Sequence, residues 1–316
     1  NENLKPSVFL TEKNFLNALM VLSSIGGSTN GLVHLTAMAG RLGIKIDLSN
    51  FDDMTKNLPM IVDLKPSGTG YMEDLYKAGG SQRIFYELRD FLYLEAKSVN
   101  GTSLGEEIKN SAKWSQNIIT DKSNPVFNAG SIAVLKGSLA PNSAIIKQSA
   151  ATKSLLNHQG RAVVFEGLED LANRIDRDDL DVTKDDVLVL KSIGPKGGPG
   201  MPEAGLIPIP KKLARQGVKD MVRISDGRMS GTASGTIILH VTPESYENGP
   251  LAIVQNGDII KLDVPNRKID LMISEKEIAE RIKKKLKKNI KRRGYNKIYM
   301  EHVTQADKGV DFDFLI

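Results

Sequence analysis

Two glycine-rich segments in the second half of the sequence carry residue types suited to proton transfer and cation binding. Residues 225–232, Ser225-Asp226-Gly227-Arg228-Met229-Ser230-Gly231-Thr232, follow the strand-like run DMVRI. A hydroxyl delivered between glycines at the end of a strand can act as a nucleophile or a base, because small neighbours let a substrate approach closely. A plain turn is the alternative, and the spacing is not the G-x-S-x-G elbow of hydrolases. Residues 194–203, Gly194-Pro195-Lys196-Gly197-Gly198-Pro199-Gly200-Met201-Pro202-Glu203, contain seven Gly or Pro in ten. A backbone so constrained follows a specific path. It ends by presenting one carboxylate, Glu203, the hard oxygen ligand that Mg²⁺ prefers. A surface loop with an incidental glutamate is the other reading.

Two further polar segments lie in the first half. In Gly26-Gly27-Ser28-Thr29-Asn30, ahead of a helical pattern, free N–H groups and short polar side chains could receive a carboxylate or phosphate. The same residues could equally form an N-cap in a tight helix–helix turn. The segment from Pro66 to Asp74, PSGTGYMED, lacks the lysine and spacing of a P-loop, which leaves a pocket-lining loop or a strand-to-helix turn. The four histidines are scattered, with His34 and His240 in apolar runs where a satisfied core role fits, and no His–Asp partnership for a serine triad is visible. Zero cysteines exclude a disulfide scaffold, a Cys-ligated zinc site, a thiol nucleophile and, within this chain, a Cys-ligated iron–sulfur cluster.

These segments need elements to hold them. Residues 1 to about 120 read as mostly helical: Thr11 precedes Phe15, Leu16, Leu19 and Leu22 at helical spacing, and Leu32, Val33, Leu35 and Met38 resume the pattern after GGSTN. A strand-like LPMIVDL, a Gly-rich turn and a helix carrying Ile84, Phe85, Leu88, Phe91 and Leu92 argue for a piece of an α/β layer. Beyond a boundary near Asp121 to Pro125 the character changes to short β-branched runs: SIAVL, SAIIK, RAVVF, DVLVL, DMVRI, TIILHV, LAIV, DIIKLDV and KIDLMI. Asn256-Gly257 predicts a hairpin between LAIVQ and DIIKLDV, and Pro265-Asn266 the next turn. The expected fold class is α/β, with residues 1–120 the C-terminal part of an α/β domain and residues 121–316 a β-barrel-like domain with helical decoration.

The chain has 316 residues, 40% of them hydrophobic and 26% charged, a globular composition with material for two domains. No apolar run approaches the roughly 18 residues of a membrane span. The net charge is +5, yet nine of the 43 basic residues fall between Arg281 and Arg293, leaving 34 against 38 acidic residues elsewhere. That segment predicts a helix: Ser274 and Glu277 fit a capping box, Ile273 and Ile278 a hydrophobic staple, and Gly294 a C-terminal stop. Ile278, Ile282, Leu286 and Ile290 form its narrow apolar stripe. A solvated helix face is favoured over a polyanion-binding patch, so neither nucleic acid nor membrane is an expected partner, and a cytoplasmic location fits.

Assembled in order, ALMVLSSIGGSTNGLVHL, DLKPSG, GYMEDLYKAGG, GRAVVFEG, GPKGGPGMPEAG and ISDGRMSGTASG resemble the dihydroxy-acid and sugar-acid dehydratase family, over essentially all 316 residues. That family includes dihydroxy-acid dehydratase of branched-chain amino acid synthesis, phosphogluconate dehydratase and the aldonate dehydratases. The resemblance implies an α/β domain followed by a β-barrel-type domain, an active site between them, and a homodimer or higher oligomer. It implies removal of water from a small 2,3-dihydroxy acid to give a 2-keto acid, with an iron–sulfur cluster as Lewis acid and Mg²⁺ holding the carboxylate and 2-hydroxyl.

By position, Glu203 corresponds to a Mg²⁺ ligand and Ser230 to the base that takes the C2 proton. A neutral serine is too weak for this, so it must act as an alkoxide. Thr232, and more weakly Ser28, Thr29 and Asn30, correspond to substrate contacts. The family places its cluster cysteines, remaining Mg²⁺ carboxylates and a modified lysine in a half that should precede Asn1. The chain is therefore expected to be the C-terminal half to two-thirds only, inactive alone, with the missing N-terminal half as partner, or else a degenerate subunit. Ser192-Ile193 departs from the family's usual residues before GPKG. GMPE rather than GMRE, and the ending from Arg293 to Ile316, resemble the sugar-acid branch more than the amino-acid branch.

Overall fold

The computed structural model describes residues 4–111, 116–285 and 292–316. Its contacts divide the chain into two units, Asn1–Ile132 and Ala133–Ile316.

The first unit is built mainly of helices. Glu12–Ser24 begins directly after Thr11, as expected, and Thr29–Gly40 follows it across the GGSTN turn. Their neighbours Met20, Leu58, Ile61, Leu75, Ile84 and Leu88 form one buried cluster. Two expectations are corrected here. The apolar run LPMIVDL joins no ladder: Met60, Val62 and Leu64 make only isolated bridges to Phe127, Ile119 and Gly70. The third helix, Gly80–Glu87, stops before Phe91 and Leu92.

The second unit is an eight-stranded sheet that nearly closes on itself. Its strands are β1 (Ala133–Leu135), β2 (Ser143–Ile146), β3 (Asn157–Phe165), β4 (Val187–Leu190), β5 (Arg223–Ser225), β6 (Ile237–Thr242), β7 (Ile259–Asp263) and β8 (Lys268–Leu271), in the order β1-β2-β6-β5-β4-β3-β7-β8. The two edges meet at a bridge where Lys136 N donates to Arg267 O (3.0 Å) and Ile269 N to Lys136 O (3.2 Å). Closure removes exposed edges.

The strands β3, β4, β5 and β6 run parallel, and the remaining pairings are antiparallel. Parallel strands covered on both faces read as unbroken apolar runs, and VVF and LVL do so for that reason. Ala162, Val164, Val187 and Val189 point into the inner cluster with Ile224, Ile238 and Ile260. Val163, Phe165, Leu188 and Leu190 point outward against Leu171, Ile175, Leu180 and Leu213.

LAIV is not a strand: Pro250–Ile253 is a 3₁₀ turn, so Asn256-Gly257 turns the chain without making the expected hairpin. Pro265-Asn266 does join an antiparallel pair, β7 and β8. Ser274 caps the helix Glu275–Lys284 through Glu277 N (3.1 Å), and Ile273, Ile278 and Ile282 pack on the barrel core. Leu286 and Ile290 lie outside the described residues. Gly294 opens the next helix, Gly294–His302, rather than ending the previous one. Among the described residues no helix is long and apolar enough to cross a membrane.

Candidate active site

Parallel neighbours deliver their loops to the same end of a sheet, and the carboxyl ends of such strands are where ligands bind in α/β sheets. Leu190 of β4 pairs with Ser225 of β5, so residues 191–205 and 225–232 leave the barrel side by side. These are the two segments richest in chemistry.

A buried carboxylate ties their bases together. Asp226, fully buried, accepts from Ile193 N (3.0 Å), Ser192 N (3.3 Å) and Ser245 N (2.9 Å), and from the Ser245 hydroxyl. Burial pushes its carboxyl above the ordinary range, against the pull of these donors. Gly227 next to it leaves room for Ile193: a Cβ there would sit 2.4 Å from Ile193 Cδ1. Further out, Arg228 Nε donates to Met201 O (2.5 Å) and Gly205 N to Arg228 O (2.7 Å), stitching the Glu203 loop to the Ser230 loop from both sides. Ser192, Met201 and His240 have left-handed φ values of 62°, 47° and 53°. Such non-glycine backbone is costly and clusters at functional sites.

The chain's own polar groups hold the Gly-Pro loop from behind. Glu244 is buried and accepts from Lys196 N (2.9 Å), Gly197 N (2.8 Å) and Gln305 Nε2 (2.7 Å), while its own N–H donates to Gln305 Oε1 (2.8 Å). Burial raises its carboxyl to about 7. Lys196 Nζ pairs with Glu247 (2.6 Å). The Tyr299 hydroxyl donates to Pro195 O (2.9 Å) and accepts from Gly200 N (2.8 Å). Tyr299 thus spends its hydroxyl on the loop, and Gln305 its amide on the Glu244 that holds it.

On this frame Ser230 and Thr232 are exposed, with Oγ and Oγ1 3.1 Å apart. Glu203 is exposed on the adjoining loop. Ser28 is the N-cap of Thr29–Gly40, its Oγ accepting from Asn30 N (3.2 Å), and Thr29 and Asn30 are buried in the first unit. The capping role is the one the geometry assigns to Ser28. His240 is buried and its imidazole is driven down to about 3, first by burial and then by Arg228, so it is neutral. Its Nε2 has no partner among the described residues, contrary to the satisfied role expected of it. Its backbone N–H donates to Gly227 O (3.0 Å).

Glu203 offers the hard oxygen that suits Mg²⁺ but is one ligand of several needed. Among the described residues no group of three or more His, Asp or Glu is placed to hold a metal. An iron–sulfur cluster finds no thiolate in this chain.

Neither Asp226 nor Glu244 stands out by residue type alone: Asp226 lies within ISDGRMSGTASG, and the one signal for Glu244 is an acidic residue just beyond the apolar run TIILHVT.

Profiles of the dihydroxy-acid/6-phosphogluconate dehydratase family match residues 1–107 with the N-terminal domain and 117–310 with the C-terminal domain. The chain is 44% identical, over 99% of its length and 55% of the relative, to an L-arabinonate dehydratase of Rhizobium leguminosarum bv. trifolii. It is 41% identical over 98% of its length and 54% of the relative to a 6-deoxy-6-sulfo-D-gluconate dehydratase of Pseudomonas putida. It is 38% identical over 98% and 56% to a dihydroxy-acid dehydratase of Methanococcoides burtonii. The chain spans about half the length of the curated relatives it matches. The expectation of a C-terminal portion alone, lacking the N-terminal half, is corrected: residues 1–107 match the N-terminal domain itself.

Proposed function

Because the chain belongs to the dihydroxy-acid/6-phosphogluconate dehydratase family, we propose that it carries the proton-transfer side of a hydro-lyase acting on a 2,3-dihydroxy acid, with a sugar acid as substrate. The observation that supports this most is the pairing of loops: an exposed serine and an exposed glutamate ride on segments joined through Arg228, Met201 and Gly205. In this reading Ser230 Oγ, as the alkoxide, takes the proton from C2. The C3 hydroxyl departs with its bonding electrons, and the resulting enol takes a proton at C3 and releases one from the 2-hydroxyl, giving a 2-keto-3-deoxy acid and water. Thr232 Oγ1, beside Ser230, orients the serine or the substrate. Glu203 serves as one Mg²⁺ ligand, and bound Mg²⁺ supplies charge that favours an alkoxide and fixes a carboxylate. A cluster would take all its cysteines from outside these 316 residues. The domain division at residues 120 and 121, a homodimer and a cytoplasmic location belong to the same proposal.

The sugar-acid assignment rests on relatives named for arabinonate and sulfogluconate at 44% and 41% identity, against 37–40% for four named dihydroxy-acid dehydratase. A site built for the outer hydroxyls of an aldonate rejects an alkyl chain there, since each unpaired buried polar group costs roughly 1–3 kcal/mol. Assaying the metal-loaded enzyme on a five-carbon aldonate and on 2,3-dihydroxyisovalerate for 2-keto acid tests it. We expect the higher kcat/KM for the aldonate; the reverse order moves the protein to the branched-chain class.

A further inference from the structure

Two lysines of the barrel unit end apolar strands and are buried, with 2% and 3% of their surface exposed: Lys191 after β4 and Lys147 after β2. Lys191 is fully accounted for. Its Nζ donates to Glu166 (2.7 Å), Val254 O (2.7 Å) and Ala252 O (3.3 Å). Lys147 has no carboxylate partner among the described residues. Its Nζ makes one long hydrogen bond, to Gly231 O at 3.5 Å. An ammonium has three donors, and a buried charge without a counter-ion is costly enough that its retention asks for a use. Gly231 lies between Ser230 and Thr232, so the ammonium, unpaired by a carboxylate among the described residues, bonds to the turn that carries the two hydroxyls of the candidate site.

We propose that Lys147 is a positioning residue for Ser230: its ammonium, held against the Gly231 carbonyl, fixes the 230–232 turn and supplies the positive field in which the serine oxygen can exist as an alkoxide. This rests on the reading of Ser230 as the base. A negative charge on Oγ supplies the counter-ion that Lys147 lacks among the described residues. Burial holds the Lys147 amine down at about 8, so it is still mainly protonated at neutral pH and can take up that role.

The test compares Lys147→Met, Lys147→Arg and Ser230→Ala in the intact, metal-loaded enzyme, with kcat, KM, the pH–rate profile and the melting temperature of each. Methionine keeps the stem and removes an unpaired buried charge, so its melting temperature should be equal or higher. Its kcat should fall about 10²-fold with little change in KM. Its rate should need higher pH, since Ser230 loses the field that favours ionisation, and arginine should restore part of the loss. Unchanged kcat in Lys147→Met overturns the proposal. So does a rise in KM alone, which makes Lys147 a substrate contact, and so does a large drop in melting temperature with normal kcat, which makes it structural. Wild-type turnover in Ser230→Ala removes the reading on which the proposal rests. A loss of at least about 10²-fold there combined with normal Lys147→Met removes only the role of Lys147.

Discussion

Glu244 is the keystone of the Gly-Pro loop, and its replacement by glutamine has consequences that follow from the geometry. Its carboxyl ordinarily titrates near 4.5 and is raised by burial to about 7 here. Below pH 4.5 folded and unfolded chains both hold the proton. Between pH 4.5 and 7 the folded chain keeps a proton that the unfolded chain has released, so stability falls as pH rises through this window, and above about 7 the slope vanishes. The distance from 4.5 to about 7 corresponds to a loss of about 3 kcal/mol across the window. A glutamine amide does not titrate, so Glu244→Gln should abolish this contribution. It also brings an NH₂ group into a niche where Lys196 N, Gly197 N and Gln305 Nε2 all donate. The hydroxyl oxygen of the protonated acid can still accept a hydrogen bond and an amide nitrogen cannot, so in the variant one donor loses its acceptor, at roughly 1–3 kcal/mol.

At pH 5 the wild type should therefore be the more stable protein by roughly 1–3 kcal/mol. At pH 8 the gap should close or reverse, because only the wild type carries the loss due to Glu244. Urea unfolding of both proteins at the two pH values measures this. Asp226 and Asp307, also raised by burial, titrate in both proteins and drop out of the comparison to first order. Parallel pH dependences would refute the argument, by showing that the Glu244 carboxyl titrates in the folded chain as it does in the unfolded one.

Glu203→Gln keeps the shape of the side chain and removes its charge, so Mg²⁺ affinity of the intact enzyme, followed by calorimetric titration, should fall by at least about 10-fold; an unchanged titration returns residues 194–203 to the role of a structural loop. Gly227→Ala places a methyl 2.4 Å from Ile193 Cδ1, an overpacking that should cost about 1–3 kcal/mol in unfolding free energy, and a stability equal to wild type would mean that Ile193 moves aside freely. The 316 residues alone, expressed and reconstituted with iron and sulfide, should show no iron–sulfur absorbance, because they contain no cysteine; a brown, cluster-bearing preparation contradicts this.

How far the sequence could be read depended on whether a residue's fate is decided locally. The candidate-site loop at 194–203 stands out in the sequence because Gly and Pro, seven residues in ten, leave the backbone few alternatives. Most strands are legible because β-branched runs buried on both faces match few other structures. LAIV has the same composition and is not a strand: Gly249-Pro250 starts it as a 3₁₀ turn, and two nearby carbonyls, Ala252 O and Val254 O, are taken by Lys191 from 61 and 63 residues away. LPMIVDL likewise has the pattern of a strand but finds only single bridges, since ladder partners belong to the fold and not to the run. The two buried lysines make the limit sharpest. SAIIK and VLVLK are the same local pattern, an apolar strand closed by lysine, and nothing within either run separates them. One is neutralised by Glu166, 25 residues distant, and the other, among the described residues, reaches only Gly231, 84 residues distant. A charged side chain at the end of a buried strand must find its partner through the tertiary fold. The sequence can therefore mark where such a charge enters the protein, while its use as a structural tie or as a working charge is settled by what the fold brings to it.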